Sequence, residues 1–251
     1  MANFQTDTQT LEGKNILITG GTTGIGRATA LALAAAGANV LIVGQDPQHL
    51  QDVLSDAEKA GISNKIKSLI ADMSVEDGIN AVTNAGNAEL DTLHVLINCA
   101  ALAYQGISDG NYAEWAKIVN TNVLAYLALS NYAVKRMKEA KGGHIVNIGS
   151  MSADVREKDS SVYVATKGAV QAFSESLRKE VNELGIKVTL IEPGAVGTDM
   201  QPVSVPDQQK NIENLEMLKA EDIAQAVIYA ITQPQRSDVV EIKIRPHLQI
   251  I

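Results

Sequence analysis

The sequence predicts an α/β fold in which one doubly wound, seven-stranded parallel sheet is flanked by helices on both faces. Val/Ile/Leu-rich runs alternate with helical patterns along nearly all of the 251 residues. Several of these runs are continuously apolar, as expected for strands that are buried on both faces. Regular alternation of strand and helix favours parallel strands joined by right-handed crossovers. A chain of this length can bury a substantial core, so residues 1–251 are expected to form a single domain.

The individual elements follow from these patterns. The predicted strands are 15–19, 39–43, 66–71, 95–98, 144–148, 187–191 and 239–244, and helical patterns lie near 24–36, 47–60, 75–89, 112–140, 161–184 and 220–232. Asp46 followed by Pro47 is typical of a helix start, and Gly37 of a helix end. Residues 1–10 form a polar tail, and 199–219, with the aperiodic stretch 201–214, are predicted to be a mobile substrate loop.

Composition excludes several classes of function. A net charge of −8 without any Lys/Arg run disfavours binding to nucleic acid or to an anionic membrane. No apolar run reaches the roughly 18–20 residues of a membrane-spanning helix, and the polar start lacks a signal-peptide pattern. The lone Cys99 rules out an internal disulfide, and no pair among the four histidines has metal-ligand spacing. We therefore expect a cytoplasmic protein without a metal site.

A glycine-rich turn follows the first predicted strand. The segment 19–26 reads TGGTTGIG and leads directly into an Ala/Leu-rich helix. Glycine allows a tight turn and a close approach of the backbone to a pyrophosphate, while the helix N-terminus offers N–H groups to phosphate oxygens. The spacing is GxxxGxG rather than the commoner GxGxxG, and the strand before it and the helix after it strengthen the interpretation. The sequence thus predicts a Rossmann-type dinucleotide site.

The end of the second strand reports on the cofactor's 2′ group, where an acid favours NAD(H) and an arginine favours NADP(H). Here Gly44 carries no side chain and Gln45 is uncharged. Asp46 could reach a ribose, but its position before Pro47 favours helix capping. Because neither Gly44 nor Gln45 is an acid that would repel a 2′-phosphate, NADP(H) is favoured over NAD(H). No basic residue stands beside them to bind the 2′-phosphate. Asp72, after the third strand, suits an adenine contact or a helix cap equally well.

Tyr163 and Lys167 are four residues apart and share one face of a predicted helix. A free tyrosine has a pKa of about 10, and a neighbouring ammonium favours the phenolate. Lys167 is therefore expected to bring the pKa of Tyr163 toward the range in which a general acid/base works. Such a pair on its own is usually part of a solvated surface, so its meaning depends on the other motifs.

With these motifs in order, the chain resembles the short-chain dehydrogenases/reductases of the compact, single-domain kind over residues 12–245. The family's serine, thirteen residues before the tyrosine, corresponds to Ser150, and its asparagine to Asn122, with Asn120 as a competitor. The resemblance implies that Asn122, Ser150, Tyr163 and Lys167 are catalytic. The implied or predicted cofactor contacts are Gly20, Thr22, Thr23, Gly24, Ile25, Gly26, Gly44, Gln45, Asp72, Met73, Asn98, Ala100, Tyr163, Lys167, Pro193, Gly194, Val196 and Thr198.

One segment departs from the family pattern. The family's Asn-Asn-Ala-Gly after the fourth strand is Asn98-Cys99-Ala100-Ala101 here. Ala101 replaces a glycine close to the cofactor, so looser binding or a shifted loop is expected. Cys99 is interpreted as a small buried apolar residue rather than a reactive thiol.

The resemblance implies a mechanism. In reduction, Ser150 and Tyr163 donate hydrogen bonds to the substrate carbonyl, the nicotinamide delivers hydride, and Tyr163 gives up its proton. Lys167 lowers the pKa of the tyrosine and bonds the nicotinamide ribose, and Asn122 holds a water that relays protons through Lys167. The reverse direction oxidises an alcohol.

The substrate is expected to be a small or medium ketone, aldehyde or 3-oxo acid, since the segment 240–246 resembles carbonyl and 3-oxo acid reductases. Predicted pocket residues are 101–105, Met151, Ala153 and 198–205, and Arg156 could meet a carboxylate but suits a solvated surface better. Family members pair the helices that correspond to 112–140 and 161–184, which implies a homotetramer or homodimer. The alternatives are a non-catalytic cofactor-sensing protein, which usually loses the tyrosine or lysine, and a sugar-nucleotide epimerase, which usually has a larger C-terminal domain.

Overall fold

In the computed structural model, which describes residues 7–104, 106–108 and 110–249, one parallel sheet has the strand order β3-β2-β1-β4-β5-β6-β7. The predicted seven-stranded parallel sheet is confirmed. The strands are β1 Asn15–Thr19, β2 Asn39–Gly44, β3 Ile66–Ile70, β4 Val95–Asn98, β5 Gly143–Ile148, β6 Ile186–Pro193 and β7 Glu241–Ile244. Each predicted strand is present, with its ends shifted by at most two residues.

Helices connect the strands and cover both faces of the sheet. They are α1 Gly24–Ala35, α2 Pro47–Lys59, α3 Glu76–Glu89, α4 Tyr112–Val119, α5 Ala125–Glu139, α6 Ser152–Val155, α7 Ser161–Val181, α8 Val205–Glu213 and α9 Ala220–Thr232. A π-helical segment, Asn120–Leu124, joins α4 to α5. In the described part of the chain, no helix is both long and apolar enough to cross a membrane.

Two hydrophobic cores lie on opposite faces of the sheet. Within β1, Ile16 and Ile18 point into the core covered by α1, α2 and α9, whereas Leu17 points into the core covered by α3, α5 and α7. Successive strand residues face opposite sides of a sheet, so both sets must be apolar. This explains why the central strands are continuous apolar runs.

The strand order reverses between β1 and β4, which are neighbours in the sheet although β2 and β3 lie between them in sequence. Crossovers leave in opposite directions there, and a cleft opens beyond the carboxyl ends of the strands. The Thr19 hydroxyl oxygen accepts hydrogen bonds from the Cys99 and Ala100 N–H groups at 3.1 and 3.2 Å. This side chain therefore ties the glycine turn to the loop after β4.

The predicted substrate loop needs a correction, because α8 lies within 199–219. The Ser204 side chain accepts from Asp207 N–H and caps the helix, and Pro206 stands in its first turn. The stretch is polar and shows no clear helical period, so the sequence pattern did not predict this helix. Its start is instead specified by the Ser204 cap and by Pro206 in the first turn. Of the predicted polar tail, residues 1–6 lie outside the described residues; Asp7 bonds Arg236 at 2.8 Å, and Gln9 N–H bonds the Thr232 carbonyl at 2.7 Å.

Candidate active site

The glycine turn between β1 and α1 leaves no room for larger side chains. Gly20 has φ +65°, and a methyl group there would lie 2.7 Å from Ala100 Cα. A methyl group on Gly26 would lie 2.0 Å from the Gly20 carbonyl oxygen. Both positions therefore require glycine, one for the left-handed conformation and a close approach to the next loop, the other for tight packing of helix on turn.

A cleft of about 160 Å³ opens at this turn. The N-cap residue of α1, Thr23, makes no side-chain capping bond, which leaves the start of the helix available to an anionic group. The following predicted cofactor contacts line the cleft: Gly20, Thr23, Gly24, Ile25, Gly26, Ala100, Tyr163, Lys167, Pro193, Gly194, Val196 and Thr198. These residues fit a dinucleotide phosphate and nicotinamide, because they combine a helix N-terminus, bare backbone and the Tyr163 hydroxyl.

The other predicted cofactor contacts do not line this cleft: Thr22, Gly44, Gln45, Asp72, Met73 and Asn98. Five of them lie at the ends of β2 and β3 or next to them. A methyl group on Gly44 would meet the Thr22 hydroxyl oxygen at 2.5 Å, and the Gln45 amide donates to Asp72 Oδ2 at 3.2 Å. The Asp46 carboxylate accepts from Gln48 and His49 N–H groups, which confirms the predicted cap of α2.

Asn98 was predicted to contact the cofactor, but its side chain lies away from the cleft. Its side chain is fully buried, and its amide donates to Asn147 Oδ1 at 2.9 Å and to Ser130 Oγ at 3.3 Å. The Asn147 amide in turn donates to Ser174 Oγ at 2.9 Å. Asn98 therefore joins β4 to β5 and α5 through a buried polar network, rather than reaching the cleft.

Three of the predicted catalytic residues come together beyond the end of β5. Ser150 and Tyr163 line the same cleft, and the Ser150 side chain lowers the pKa of the Tyr163 hydroxyl. Lys167, one helical turn after Tyr163, is buried, and its Nζ lies 5.7 Å from the centroid of the tyrosine ring. The Lys167 ammonium donates to the Ile148 carbonyl at 2.9 Å and lies 5.9 Å from the ring centroid of Tyr126.

The ionisation of Tyr163 differs from the sequence-based expectation. Burial raises the pKa of Tyr163 to about 12, against the hydrogen bond from Ser150, which lowers it. Burial also lowers the pKa of Lys167 to about 8. Lys167 is turned toward the Ile148 carbonyl, so desolvation outweighs its attraction for a phenolate. In the free protein both groups are therefore shifted toward their neutral forms.

Asn122 lies in the π-helical segment and is fully buried. Its Oδ1 accepts from Leu102 N–H at 2.8 Å, and its amide donates to the Leu102 carbonyl at 3.0 Å and to Thr166 Oγ1 at 3.2 Å. The side chain is thus engaged by the loop after β4 and by α7, next to Lys167. The side chain of Asn120, the alternative candidate, points elsewhere, and its amide donates a hydrogen bond to the Ser74 carbonyl at 3.0 Å.

A second, larger cavity of about 960 Å³ adjoins the cleft. Both spaces are lined by Ser150, Tyr163, Pro193, Gly194, Met200 and Gln201. The larger one is additionally lined by Ala103, Tyr104, Gly110, Glu114, Met151, Ser152, Glu157, Asp159, Ser160, Ala195, Pro202 and Gln249. The Tyr163 hydroxyl is therefore at the boundary between a space suited to a cofactor and a space suited to a substrate.

The predicted pocket is right in part. Ala103, Tyr104, Met151 and residues 200–202 line the larger cavity, whereas Ala153 is buried beneath it. Gln105 lies outside the described residues. Arg156 is exposed, donates to the Ala153 carbonyl at 3.2 Å and does not line the cavity. Sequence reasoning missed Glu114 and Gln249, which elements distant in sequence bring there, and Glu157, which lies in the loop between Ser150 and Tyr163.

Buried polar side chains beneath the site were also missed. Glu192 stands in a strand whose every residue is buried, and Tyr126 donates to the Ile148 carbonyl at 3.3 Å. A carboxylate within a continuous apolar run is a signal that could have singled out Glu192.

Among the described residues, no group of three or more His, Cys, Asp or Glu side chains is placed to hold a metal ion. Burial raises the pKa of the Cys99 thiol to about 11, which fits its interpretation as an unreactive residue.

Comparison with known proteins agrees with this geometry. The profile of the family described as "short chain dehydrogenase" matches residues 14–209. The chain belongs to the short-chain dehydrogenase/reductase family. An uncharacterised oxidoreductase of Staphylococcus aureus (strain USA300) is 32% identical over 237 residues, which cover 94% of this chain and 98% of that protein. One from Staphylococcus epidermidis is 32% identical over 234 residues, with 93% and 97% coverage.

Solved structures support the same family and its fold. A metagenomic short-chain oxidoreductase in complex with NADP superposes with a TM-score of 0.81 at 27% identity, covering 96% of this chain and all of that one. A short-chain type dehydrogenase/reductase from Mycobacterium ulcerans gives a TM-score of 0.82 at 24% identity, covering 94% of this chain and 89% of that one, which shows the shared fold. The protein is an NAD(P)-dependent dehydrogenase/reductase with a Rossmann-type fold.

Proposed function

We propose that this enzyme reduces a small or medium ketone or aldehyde to the alcohol, or runs the reverse reaction, with Tyr163 as general acid/base. The observation that carries this proposal is that Ser150 and Tyr163 line both adjoining spaces. A carbonyl bound in the larger cavity can meet both hydroxyl groups, while a nicotinamide, when bound in the cleft, supplies or accepts hydride at the carbonyl carbon. The proposed catalytic set is Asn122, Ser150, Tyr163 and Lys167.

Each of these side chains has a distinct task. The Ser150 hydroxyl donates a hydrogen bond to the carbonyl oxygen, and the Tyr163 hydroxyl transfers its proton to the same oxygen as negative charge develops there. The Lys167 ammonium stabilises the phenolate left behind. Asn122 bridges the loop after β4 to α7 and so positions Lys167. Its side-chain hydrogen bonds are taken by Leu102 and Thr166, so a relay water would bond its main-chain carbonyl.

NADP(H) is the proposed cofactor. Its support is the end of β2, where Gly44 and Gln45 carry no charge and Asp46 is engaged in capping α2. Gly44 and Gln45 therefore offer no carboxylate to repel a 2′-phosphate, and the Asp46 carboxylate is turned to the N–H groups of α2. The related metagenomic oxidoreductase is in complex with NADP. Thr22 and Gln45 are the proposed contacts around the 2′ group, and Asp72, with Met73 beside it, is the proposed contact of the adenine amine.

The charge of the larger cavity narrows the proposed substrate. Glu114, Glu157 and Asp159 line it, and no Lys or Arg is among the described residues that do so. Carboxylates repel an anionic substrate and leave its charge unpaired. A neutral carbonyl compound, or one that carries a cationic group, is therefore favoured over a 3-oxo acid. The segment 199–219, with α8, is the proposed cover of this cavity.

We also propose that the enzyme works as a homotetramer, or a homodimer, in the cytoplasm. Support for assembly comes from α4, the π-helical segment and α7, whose exposed faces form an apolar groove of about 570 Å³. Trp115, Val119, Val123, Val162 and Ala169 are among the residues that line it. The lone Cys99 agrees with a reducing compartment.

Consumption of NADPH and NADH, measured side by side against matched carbonyl compounds, tests the proposal. The decisive pair is a 3-oxo acid and its uncharged methyl ester, because the two differ in one charge. We expect turnover of the ester with NADPH and at least about tenfold lower kcat/KM for the acid. In Glu157→Gln, the ratio of kcat/KM for the ester to kcat/KM for the acid should decrease. Absence of turnover with every ketone and aldehyde, or preference for the acid, would contradict the proposal.

A further inference from the structure

Glu192 is a buried carboxyl group that the proposed chemistry does not use. It ends the apolar part of β6, just before Pro193, and its side chain has no exposed surface. Its Oε1 has no hydrogen-bond partner among the described residues. Burial of a carboxylate with an unpaired oxygen is costly unless a neighbour or a proton compensates it. The neighbours of Glu192 are therefore informative.

Groups from three elements surround the Oε2 side of this carboxyl. From β7, Lys243 Nζ lies 3.5 Å from Oε2, and the Glu241 carboxyl, which contacts the same ammonium, raises the pKa of Glu192. From α7, the Gln171 amide donates to Oε2 at 3.4 Å. From α6, Asp154 bonds Lys243, which also contacts Glu241 at 2.9 Å. One ammonium thus serves three carboxyl groups, an arrangement that favours a proton shared between Glu192 and Glu241.

The other side of Glu192 faces the catalytic segment. A methyl group on Gly149 would lie 3.3 Å from Glu192 Oε1 and 3.1 Å from its Cγ. Gly149 stands between Ile148, whose carbonyl accepts from Lys167, and Ser150. Burial lowers the pKa of Lys167 to about 8, and Cys99 and, to a smaller extent, a negative charge on Glu192 raise it. The carboxyl group therefore connects the active-site lysine with charged groups at the protein surface.

We propose that Glu192 is a positioning residue for the reduction proposed above: by binding and releasing a proton shared with Glu241, it controls the charge of Lys167. The proposal rests on that function, and Glu192 itself touches neither substrate nor cofactor. An ionised Glu192 stabilises the ammonium that Tyr163 needs when it gives up its proton. A protonated Glu192 withdraws that support. The proton exchanges with solvent at the half-exposed edge formed by Glu241 and Asp154.

Burial and the Glu241 carboxyl raise the pKa of Glu192 to about 7, against the Lys243 ammonium, which lowers it. The carboxyl group therefore changes its charge within the physiological range. Glu192 is ionised above about pH 7, so its charge supports the Lys167 ammonium where that ammonium begins to be lost, near pH 8. Without the charge of Glu192, the loss of reduction at alkaline pH should begin at lower pH.

The first test needs no turnover. In free protein labelled with [ε-13C]lysine, the Lys167 signal, assigned with Lys167→Met, is titrated by NMR in wild type, Glu192→Gln and Glu241→Gln. Glu192→Gln should lower the titration midpoint of Lys167 by about half a unit or more, because a countercharge is removed. Glu241→Gln should change it by less than about 0.1 unit, because Glu192 is already ionised at the Lys167 midpoint. Glu192→Asp, which retains the carboxyl group, should restore the midpoint toward the wild-type value.

A lower Lys167 midpoint in Glu192→Gln that Glu192→Asp restores would support the proposal, since a merely structural disturbance does not predict restoration by another carboxylate. A midpoint within about 0.1 unit of wild type in Glu192→Gln would overturn it. Should Glu192→Gln fail to fold, the side-chain carbon signal of Glu192 in Glu241→Gln decides: its titration midpoint should fall when the second carboxyl group is removed, and an unchanged midpoint would overturn the shared proton. In the active enzyme, Glu192→Gln should also move the alkaline limb of kcat to lower pH. Failure of the proposed reduction would appear as missing turnover and would leave the NMR result readable.

Discussion

At the scale of single residues, the charge of Lys167 governs what the site can do. Burial shifts the pKa of Tyr163 up to about 12 and that of Lys167 down to about 8. At neutral pH the tyrosine therefore holds its proton and the lysine is still mostly charged. This state is ready to donate a proton to a carbonyl oxygen, so it suits reduction better than oxidation.

The pH dependence of reduction follows from Lys167. Proton donation by Tyr163 requires the ammonium, which is present below the pKa of Lys167 and lost above it. We expect kcat/KM for carbonyl reduction to fall as the pH rises through about 8, tenfold for each further unit. Oxidation of the alcohol should instead increase with pH, because Tyr163 must then accept a proton. Initial rates in both directions between pH 6 and 10 provide the measurement, and a reductive rate that stays constant to pH 10 would disagree.

Gln45 is expected to control the choice of cofactor. Its side chain lies at the end of β2 and donates to Asp72. In Gln45→Asp, a carboxylate would repel a 2′-phosphate and accept from ribose hydroxyls. The ratio of kcat/KM for NADPH to that for NADH should fall at least about tenfold, about 1.4 kcal/mol, whereas Gln45→Asn should leave it nearly unchanged. An unaltered ratio in Gln45→Asp would place the 2′ group elsewhere.

The spacing of one helical turn was sufficient to pair Tyr163 with Lys167, whereas Ser150 was added by the family resemblance. The sequence did not place Asn98, whose partners Asn147 and Ser130 are distant in sequence. The direction of the Tyr163 pKa shift could not be predicted from the sequence either, because the burial of Tyr163 depends on every segment that covers the site. Glu192 was missed because the groups that surround it come from α6, α7 and β7.

At the scale of elements, strands were easier to predict than helices with polar faces. Each central strand is an apolar run because both of its faces are covered. The pattern 112–140 predicted one long helix, whereas the structure interrupts it with the π-helical segment that contains Asn122. Such an insertion leaves the sequence pattern nearly unchanged, although it often marks functional sites.

The helix α8 provides a test at this scale. Ser204 caps it through Asp207 N–H, and residues 200–202, just before the cap, line the larger cavity. Ser204→Ala should destabilise α8 by about 1 kcal/mol. We expect KM for the carbonyl substrate to rise about threefold while the dissociation constant of NADPH stays unchanged. Ser204→Thr keeps the cap and is the matched control; an unchanged KM in Ser204→Ala would separate α8 from substrate binding.

At the scale of the whole molecule, sheet order followed from two general rules. Right-handed crossovers and a single reversal of direction place the cleft between β1 and β4, where the glycine turn and the loop after β4 meet. The proposed assembly is supported by another feature, the large apolar side chains that are exposed on the surface of a single chain. Leu124, in the π-helical segment that contributes to the apolar groove, is 53% exposed, and Leu127 on the adjoining α5 is 39% exposed.

The proposed assembly is tested by replacing one of these side chains. Light scattering at micromolar concentration should give a homotetramer or homodimer for the wild type. In Leu124→Glu, charges buried between copies would shift the mass toward the monomer. Ile70→Glu, at an exposed residue that ends the edge strand β3, should keep the wild-type mass. A monomeric wild type would refute the assembly.

The central claim is that the Tyr163 hydroxyl supplies the proton at the boundary of the two cavities. NADPH consumption with the best neutral carbonyl substrate, compared between wild type and Tyr163→Phe, tests it most directly. We expect the variant to lose at least about a thousandfold in kcat, within the range of general acid catalysis, while cofactor fluorescence shows unchanged binding of NADPH. A Tyr163→Phe protein that keeps near wild-type turnover would contradict the account.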